Sequence, residues 1–141
     1  MYLLDTDHIS IIQRQTGPEY ASLHARIGAH DALDIYVSII SFHEQATGWN
    51  AYLKRARKPE AVVRAYEMFQ RILADFSMAA VAPFDVRAED KFRSLRQTGI
   101  RIGTMDLRIA SIALCNDWTL LTRNRVDFES ISGLRIEDWT R

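Results

Sequence analysis

The sequence contains one cysteine, three prolines and six glycines among its 141 residues. Because Cys115 has no second cysteine to pair with, an intramolecular disulfide is excluded, and its apolar surroundings predict a small buried hydrophobic residue. The shortage of proline and the absence of any low-complexity tract exclude an interdomain linker. We therefore expect one domain over residues 1–141, a length close to the commonest domain size.

Long apolar runs and an excess of either charge are also missing. No stretch reaches the roughly 18 consecutive apolar residues of a membrane-spanning helix, and the start MYLLDTDHIS lacks the basic residues of an export signal. These absences predict a cytoplasmic protein without a membrane partner. Eighteen Lys and Arg residues balance eighteen Asp and Glu residues, so the overall charge does not indicate a nucleic-acid partner. Fifteen of the basic residues are Arg, however, and a planar guanidinium suits bidentate contacts to phosphate.

Short apolar runs alternate with segments of helical periodicity. The runs predict strands at Met1 to Leu4, Leu33 to Ile40, Met78 to Ala82, Thr119 to Thr122 and Leu134 to Ile136. The helices are predicted by their capping residues and first turns, at Ser41, Pro59, Asp85 and Thr104, with Gly99 ending the third of them. Such alternation predicts a three-layer α/β domain with a short, mainly parallel central sheet flanked by helices. In these sheets, ligands bind outside the C-terminal ends of the strands.

Three carboxylates are predicted to lie at that edge of the sheet. Asp5 follows the first strand, Glu44 lies in the first turn of the helix after the second strand, and Asp106 comes two residues after Thr104. Each also has a purely structural explanation: Asp5 or Asp7 can cap the first helix, Glu44 can complete a capping box with Ser41, and Asp106 can stabilise a helix dipole.

A shared metal ion accounts for the three acids together. Carboxylates packed at one edge repel each other unless a cation neutralises them, and oxygen ligands with bound water are what Mg²⁺ or Mn²⁺ requires. The neighbouring His8 and His43 lack the spacing of a zinc site, and we interpret both as structural. The sequence thus predicts an acidic Mg²⁺ site, with Mn²⁺ as a substitute.

Polar residues also follow the fourth predicted strand, in WTLLTRNRVDF. Thr122 can position a water or a ligand through its hydroxyl, and Asn124 can hydrogen-bond a carboxylate or a metal-bound water. Asp127 is the first carboxylate after that strand. The alternative is an ordinary turn rich in Asn and Asp.

These blocks, in this order, resemble the PIN-domain family, and most closely the VapC-type ribonuclease toxins of bacterial toxin–antitoxin pairs. The resemblance covers essentially the whole chain and lies in LLDTD, SFHEQATG, RIGTMDLRIASIA, LLTRNRVDF and the tail SGLRIEDW. It implies a metal-dependent endoribonuclease with Asp5, Glu44 and Asp106 as the metal-site acids. It also implies a VapB-like antitoxin as the inhibiting partner.

Two positions depart from the family pattern. Asp7 stands where these proteins usually carry Asn, and Asn124 stands where many PIN nucleases carry a fourth acid. The first departure adds negative charge near the site and the second removes it. Whether Asp127 supplies the fourth carboxylate, and whether one or two metal ions bind, is left open by the sequence.

RNA must also be held by basic residues. From Arg87 to Arg125 the chain contains seven arginines and Lys91, which makes this half locally basic. Arg101, Arg108 and Arg123 are the predicted RNA contacts because they lie next to the motif residues. The alternative is a solvated helix face with intrahelical ion pairs.

Two other functions are compatible with the acidic residues. A phosphotransfer enzyme of the haloacid-dehalogenase type would use Asp5 as nucleophile and Asp7 as acid or base, and a receiver-like signalling domain would bind Mg²⁺ and accept a phosphoryl group on Asp. Both require a lysine at the end of a later strand. The aromatic stripe of Trp49, Tyr52, Tyr66 and Phe69 predicts core packing, part of which could serve a homodimer or the antitoxin.

Overall fold

A parallel five-stranded sheet forms the centre of the computed structural model, which describes residues 1–141. Its strands are β1 (Tyr2–Leu4), β2 (Ile35–Ser38), β3 (Ala80–Ala82), β4 (Thr119–Leu121) and β5 (Arg135–Glu137). The spatial order is β3-β2-β1-β4-β5, and every neighbouring pair is parallel. The chain therefore leaves β1 toward one side of the sheet and returns to its other side at β4. This reversal places a crevice at the C-terminal ends of β1 and β4, where ligands bind in such sheets.

Seven α-helices surround the sheet. They are α1 (Thr6–Arg14), α2 (Gly17–Gly28), α3 (Ile39–Arg55), α4 (Pro59–Ser77), α5 (Val86–Gln97), α6 (Thr104–Cys115) and α7 (Arg125–Phe128). A single 3-10 turn, Ala32–Asp34, precedes β2. None of the helices is both long and apolar enough to cross a membrane.

Two hydrophobic clusters hold the helices against opposite faces of the sheet. Leu3 and Leu120 pack with α5 and α6 on one face, whereas Leu4 and Leu121 pack with α1, α2 and α4 on the other. Neighbouring residues of a strand point to opposite faces, so β1, β2 and β4 each contribute to both clusters. The predicted three-layer α/β architecture is confirmed.

Helix α6 is the most deeply buried helix because it is apolar around most of its circumference. Leu107, Ile109, Ala110, Ile112 and Ala113 are all fully buried in it. Its burial against the sheet fixes the position of its first turn, which carries Asp106.

Several predicted helix boundaries are confirmed by their capping contacts. Asp85 caps α5 by accepting a hydrogen bond from the backbone N–H of Ala88 at 3.0 Å. Gly99 follows α5 with φ at +83°, a conformation that side chains with a Cβ rarely adopt. Pro59 is the first residue of α4. A backbone N–H at this position has no partner within the helix, so proline loses no hydrogen bond there.

The predicted caps of α3 and α6 are wrong. Ser38 caps α3 by accepting from the backbone N–H of Ser41 at 3.0 Å, so α3 begins at Ile39 and β2 ends two residues earlier than predicted. The apolar pair Ile39 and Ile40 fits a strand and a helix equally well, which explains the error. Gly103 rather than Thr104 occupies the cap position of α6.

Two helices and the partial exposure of Cys115 were not predicted. Helix α2, whose Leu23 is its single buried residue, and the one-turn helix α7 have no counterpart among the predicted elements. Cys115 is a free thiol of intermediate exposure at the end of α6, and not the fully buried residue that its apolar neighbours predict.

Candidate active site

Asp5 lies where β1 ends, and it caps α1. Its Oδ1 accepts a hydrogen bond from the backbone N–H of Thr6 at 2.7 Å, and its Oδ2 accepts one from the hydroxyl of Thr122 at 2.8 Å. The residue is 5% exposed, so this carboxylate is held rigidly in a nearly dry position. The capping explanation for Asp5 is therefore confirmed, and its role as a metal-site acid stays a prediction.

Burial is the largest influence on the protonation of Asp5. Burial and the negative charge of Asp7, with a smaller effect of Asp106, outweigh the hydrogen bonds from Thr122 and Thr6, and together these influences raise the pKa of Asp5 from 3.8 to about 7. A carboxylate this hard to ionise is a typical component of a functional site.

Glu44 approaches Asp5 from the neighbouring helix α3. Its Oε1 accepts a hydrogen bond at 3.0 Å from the hydroxyl of Thr6, the residue next to Asp5. Burial and the charge of Asp106 raise the pKa of Glu44, while the bond from Thr6 lowers it. Because α3 begins at Ile39, Glu44 lies in its second turn, and the predicted capping box with Ser41 does not exist.

Asp106 occupies the first turn of α6, as predicted. Burial raises its pKa, and the charges of Asp127 and Asp7 raise it further. The charge of Asp106 in turn raises the pKa values of Asp5 and Glu44. The negative charge of Asp106 thus acts on acids from two other chain segments, Asp5 and Glu44.

Asp7 is held by two donors. Its Oδ1 lies 2.7 Å from Nδ1 of His8, and its Oδ2 accepts from the backbone N–H of Arg123 at 2.9 Å. An Asn at this position could not accept both bonds, because its amide nitrogen is a donor. Both carboxylate oxygens of Asp7 are therefore used in hydrogen bonds that the charged side chain alone can accept together.

His8 has no exposed surface, and it connects the acidic site with the C-terminal segment. Its Nε2 accepts a hydrogen bond from the backbone N–H of Trp139 at 3.3 Å, so Nδ1 carries the proton donated to Asp7. The predicted structural role of His8 does not include this connection. The adjacency of Asp7 and His8 was the signal that could have revealed it.

The segment after β4 supports two of the acids. Thr122 donates to Asp5 and accepts from the backbone N–H of Asn124 at 3.0 Å. The side-chain amide of Asn124 donates to Oδ2 of Asp127 at 2.9 Å. Asn124 therefore orients Asp127, whose charge reaches Asp106.

The three arginines predicted to contact RNA lie in different surroundings. Arg123 is exposed beside Asp7, and Arg101 is exposed between α5 and α6. The guanidinium of Arg108 packs over the rings of Phe92 and Phe84, at 5.4 and 5.8 Å, and is half-buried.

The fold occurs in solved structures of bacterial protein complexes. VapBC-1 from nontypeable Haemophilus influenzae has a matching chain with a TM-score of 0.75 and 21% identity, over 99% of this chain and 98% of that one. DNA-bound VapBC from Salmonella typhimurium matches with a TM-score of 0.74 and 24% identity, over 98% and 97%. VapBC2 from Rickettsia felis, bound to a promoter DNA fragment, matches with a TM-score of 0.70 and 24% identity, over 98% of both chains.

The chain has the PIN-like α/β fold of these proteins. No protein-family model matches the sequence, and no curated protein matches it either. At these identities the likeness concerns the fold. The acidic cluster lies in the crevice that the PIN-like topology creates between β1 and β4.

The donor set of this acidic cluster fits a hydrated Mg²⁺ or Mn²⁺ ion. Its acidic side chains supply oxygen, the ligand type these ions prefer, and Asp106 accepts no hydrogen bond within the protein. No group of three or more His, Cys, Asp or Glu side chains is already arranged around a metal position. Mg²⁺ usually keeps several waters and binds one or two carboxylates directly, so it does not need such an arrangement.

The PIN-like fold places no lysine beside the acids. Lys54 lies in the last turn of α3, Lys58 caps α4 and Lys91 lies within α5. The phosphotransfer and receiver-like interpretations both require a lysine after a strand. The structure offers nothing in their favour.

Proposed function

We propose that this protein is a metal-dependent endoribonuclease that hydrolyses phosphodiester bonds at the cluster of Asp5, Glu44 and Asp106. The observation that carries the proposal is the gathering of these carboxylates from three chain segments in one crevice, where burial, and after it the negative charges of neighbouring acids, raise the pKa of each. Unneutralised repulsion destabilises a folded protein, so such a cluster is expected to have a cationic ligand. A divalent ion satisfies this expectation with the oxygen donors present.

Asp5 and Asp106 are the proposed direct or water-bridged ligands of Mg²⁺, and Glu44 completes the shell or orients the attacking water. The bound ion would lower the pKa of water and neutralise charge on the phosphate. Water adds to phosphorus, the bond to the leaving ribose oxygen breaks, and that oxygen takes a proton. Asp5 is suited to hold a ligand in one place because Thr6 and Thr122 restrain both of its oxygens.

Neighbouring residues position the acids in this proposal. Thr122 orients Asp5, Asn124 orients Asp127, and His8 together with the Arg123 backbone orients Asp7. Asp127 and Asp7 add negative charge next to Asp106, which strengthens the attraction for a cation. Asp127 thereby provides the charge that Asn124 lacks.

We further propose that the protein is the toxin of a toxin–antitoxin pair, inhibited by a VapB-like antitoxin. The sequence motifs support this, and so does the shared fold with chains of VapBC complexes. Helix α4 exposes large apolar side chains at Val63, Tyr66 and Leu73, between 57% and 65% exposed, which supports a protein partner or a homodimer. The predicted core role of Tyr66 is wrong.

The nuclease proposal is tested by cleavage of a single-stranded RNA in Mg²⁺ by wild-type protein and by Asp106→Asn. This variant retains the size of the side chain and loses the charge, so we expect turnover to fall by roughly 100-fold or more with the fold intact. Asp90→Asn, on the exposed surface of α5, is the matched control and should cleave normally. Full activity of a folded Asp106→Asn protein would show that the site is assigned wrongly.

A further inference from the structure

A groove of about 960 Å³ extends from the acidic site between α1, α3 and α4. Asp7 and Arg123 lie at its end beside the acidic cluster. Its walls carry five arginines: Arg14, Arg55, Arg64, Arg71 and Arg123. Asp7 is the one carboxylate among the lining residues, and both of its oxygens already accept hydrogen bonds.

The five groove arginines form no ion pairs. Four of the ten arginines outside the groove, Arg93, Arg125, Arg135 and Arg141, are each within 3.1 Å of a carboxylate oxygen. The whole chain has a formal net charge of +0, so the excess of positive charge in the groove is matched by an excess of negative charge on the rest of the protein. Unpaired guanidinium groups along one groove favour a ligand with repeated phosphates.

Two aromatic side chains lie on the α3 side of the groove. The rings of Trp49 and Tyr52 meet at 67° with their centroids 5.2 Å apart, and both residues are half-buried. The guanidinium of Arg64 lies 5.7 Å from the centroid of Trp49. Aromatic rings interleaved with basic residues are the usual stacking platform for unpaired nucleobases.

The side of the groove between α1 and α3 is polar. The side-chain amides of Gln13 and Gln45 exchange two hydrogen bonds, at 2.7 and 3.0 Å. Amides of this kind can pair with the edges of bases as well as with each other. An acidic peptide would use the arginines, but it would leave the aromatic corner without a matching partner.

We infer that this groove binds single-stranded RNA, with a base stacked at the Trp49–Tyr52 corner and phosphates on the surrounding arginines. The strand then passes Arg123 and Asp7 to reach the acidic cluster. The inference rests on the proposed function for the cleavage step, while the binding step stands on the groove itself. Single-stranded RNA is favoured because stacking requires unpaired bases.

The electrostatic part is tested with a fluorescently labelled 12-nucleotide single-stranded RNA, in EDTA to prevent cleavage, by fluorescence anisotropy. Each phosphate contact to a single strand contributes about −0.7 to the slope of log affinity against log salt. The double variant Arg55→Gln, Arg64→Gln should therefore bind more weakly, with a slope less steep by roughly 1.4. Arg93→Gln, with its 71% exposed side chain on α5, is the control and should bind like wild type.

The stacking part is tested with Trp49→Leu, Trp49→Phe and Tyr52→Leu. We expect Trp49→Leu and Tyr52→Leu each to weaken RNA binding by roughly 10-fold, and Trp49→Phe to retain most of it. RNA should also quench tryptophan fluorescence in the wild-type protein and much less in Trp49→Phe. Thermal unfolding of each variant identifies a loss of fold. If Trp49→Leu is unfolded, the binding affinity of Tyr52→Leu tests the stacking.

Salt-independent affinity, or affinity unchanged in both the arginine and the aromatic variants, would overturn the inference. So would tight binding of a polyglutamate peptide in place of RNA, which would assign the groove to an acidic protein partner. Groove-dependent RNA binding without Mg²⁺-dependent cleavage would support the groove and contradict the nuclease proposal. Cleavage at the wild-type rate by every groove variant would support the nuclease proposal and contradict the groove inference.

Discussion

The hydroxyl of Thr122 donates a 2.8 Å hydrogen bond to Oδ2 of Asp5, joining residues 117 positions apart in the chain. The two residues come directly after β4 and β1, which are neighbours in the sheet. The Thr122 hydroxyl donates its single proton to Asp5, and its oxygen accepts a hydrogen bond from the backbone N–H of Asn124 at 3.0 Å. The orientation of Asp5 is therefore determined by the turn that follows the fourth strand.

Thr122→Val should weaken both stability and activity. The substitution leaves Oδ2 of Asp5 and the N–H of Asn124 without partners in a buried place, which we expect to lower the free energy of unfolding by about 1–3 kcal/mol. Activity should fall as well, because Asp5 is no longer held. Urea unfolding and RNA cleavage measure the two effects, and Thr122→Ser, which retains the hydroxyl, should restore most of both.

The metal-free protein should lose stability as the pH rises from about 4 to 7. The pKa of Asp5 is about 7 in the folded chain against 3.8 for an ordinary Asp, so between these values the folded state binds more protons than the unfolded state. The free energy of unfolding then decreases with pH, and the decrease ends above the folded pKa. Thermal unfolding in EDTA across this range measures the effect.

Asp5→Asn provides the control for that pH dependence. The Asn side chain has no charge to desolvate, so the melting temperature of this variant should change less between pH 4 and 7 than that of the wild type. Because Asn cannot accept from both Thr6 and Thr122, the pH dependence of stability is the quantity to compare, and not its absolute value. Parallel pH profiles for the two proteins would contradict the assignment of the shift to Asp5.

Mg²⁺ should stabilise the protein through the same acids. A ligand that binds only the folded state at about 100 times its Kd adds about 2.7 kcal/mol to the free energy of unfolding. We expect the melting temperature to rise with Mg²⁺ in the wild type and to change little in Asp106→Asn. Equal effects in both proteins, or an equal effect of Na⁺ at matched ionic strength, would assign the stabilisation to general screening.

His8→Phe should detach the C-terminal segment from the acidic site. The variant retains the ring volume but can neither donate to Asp7 nor accept from the N–H of Trp139. We expect faster hydrogen exchange at the amides of Trp139 and Thr140 and a loss of about 1–3 kcal/mol in stability. His24→Phe, at an exposed position on α2, should leave exchange in this segment unchanged.

The local pattern of the chain was sufficient for the architecture and for the position of Asp5. Period-two and helical spacing predicted five strands and the helices opened by Pro59 and Asp85, and the structure confirms them. These features depend on neighbouring residues alone, through backbone conformation, capping and the alternation of apolar side chains. The start of α3 was mispredicted because Ile39 and Ile40 satisfy both periodicities.

Only the tertiary structure decided how the acids, the arginines and the tail are connected. The bonds from Thr122 to Asp5, from the Arg123 backbone to Asp7 and from Trp139 to His8 join segments more than a hundred residues apart. The groove likewise collects Arg14, Arg55 and Arg71 from three helices, whereas proximity in sequence pointed to Arg101, Arg108 and Arg123, of which Arg123 lines the groove. Charge repulsion, burial and hydrogen-bond geometry depend on distances in space, and those are set by how the strands order in the sheet.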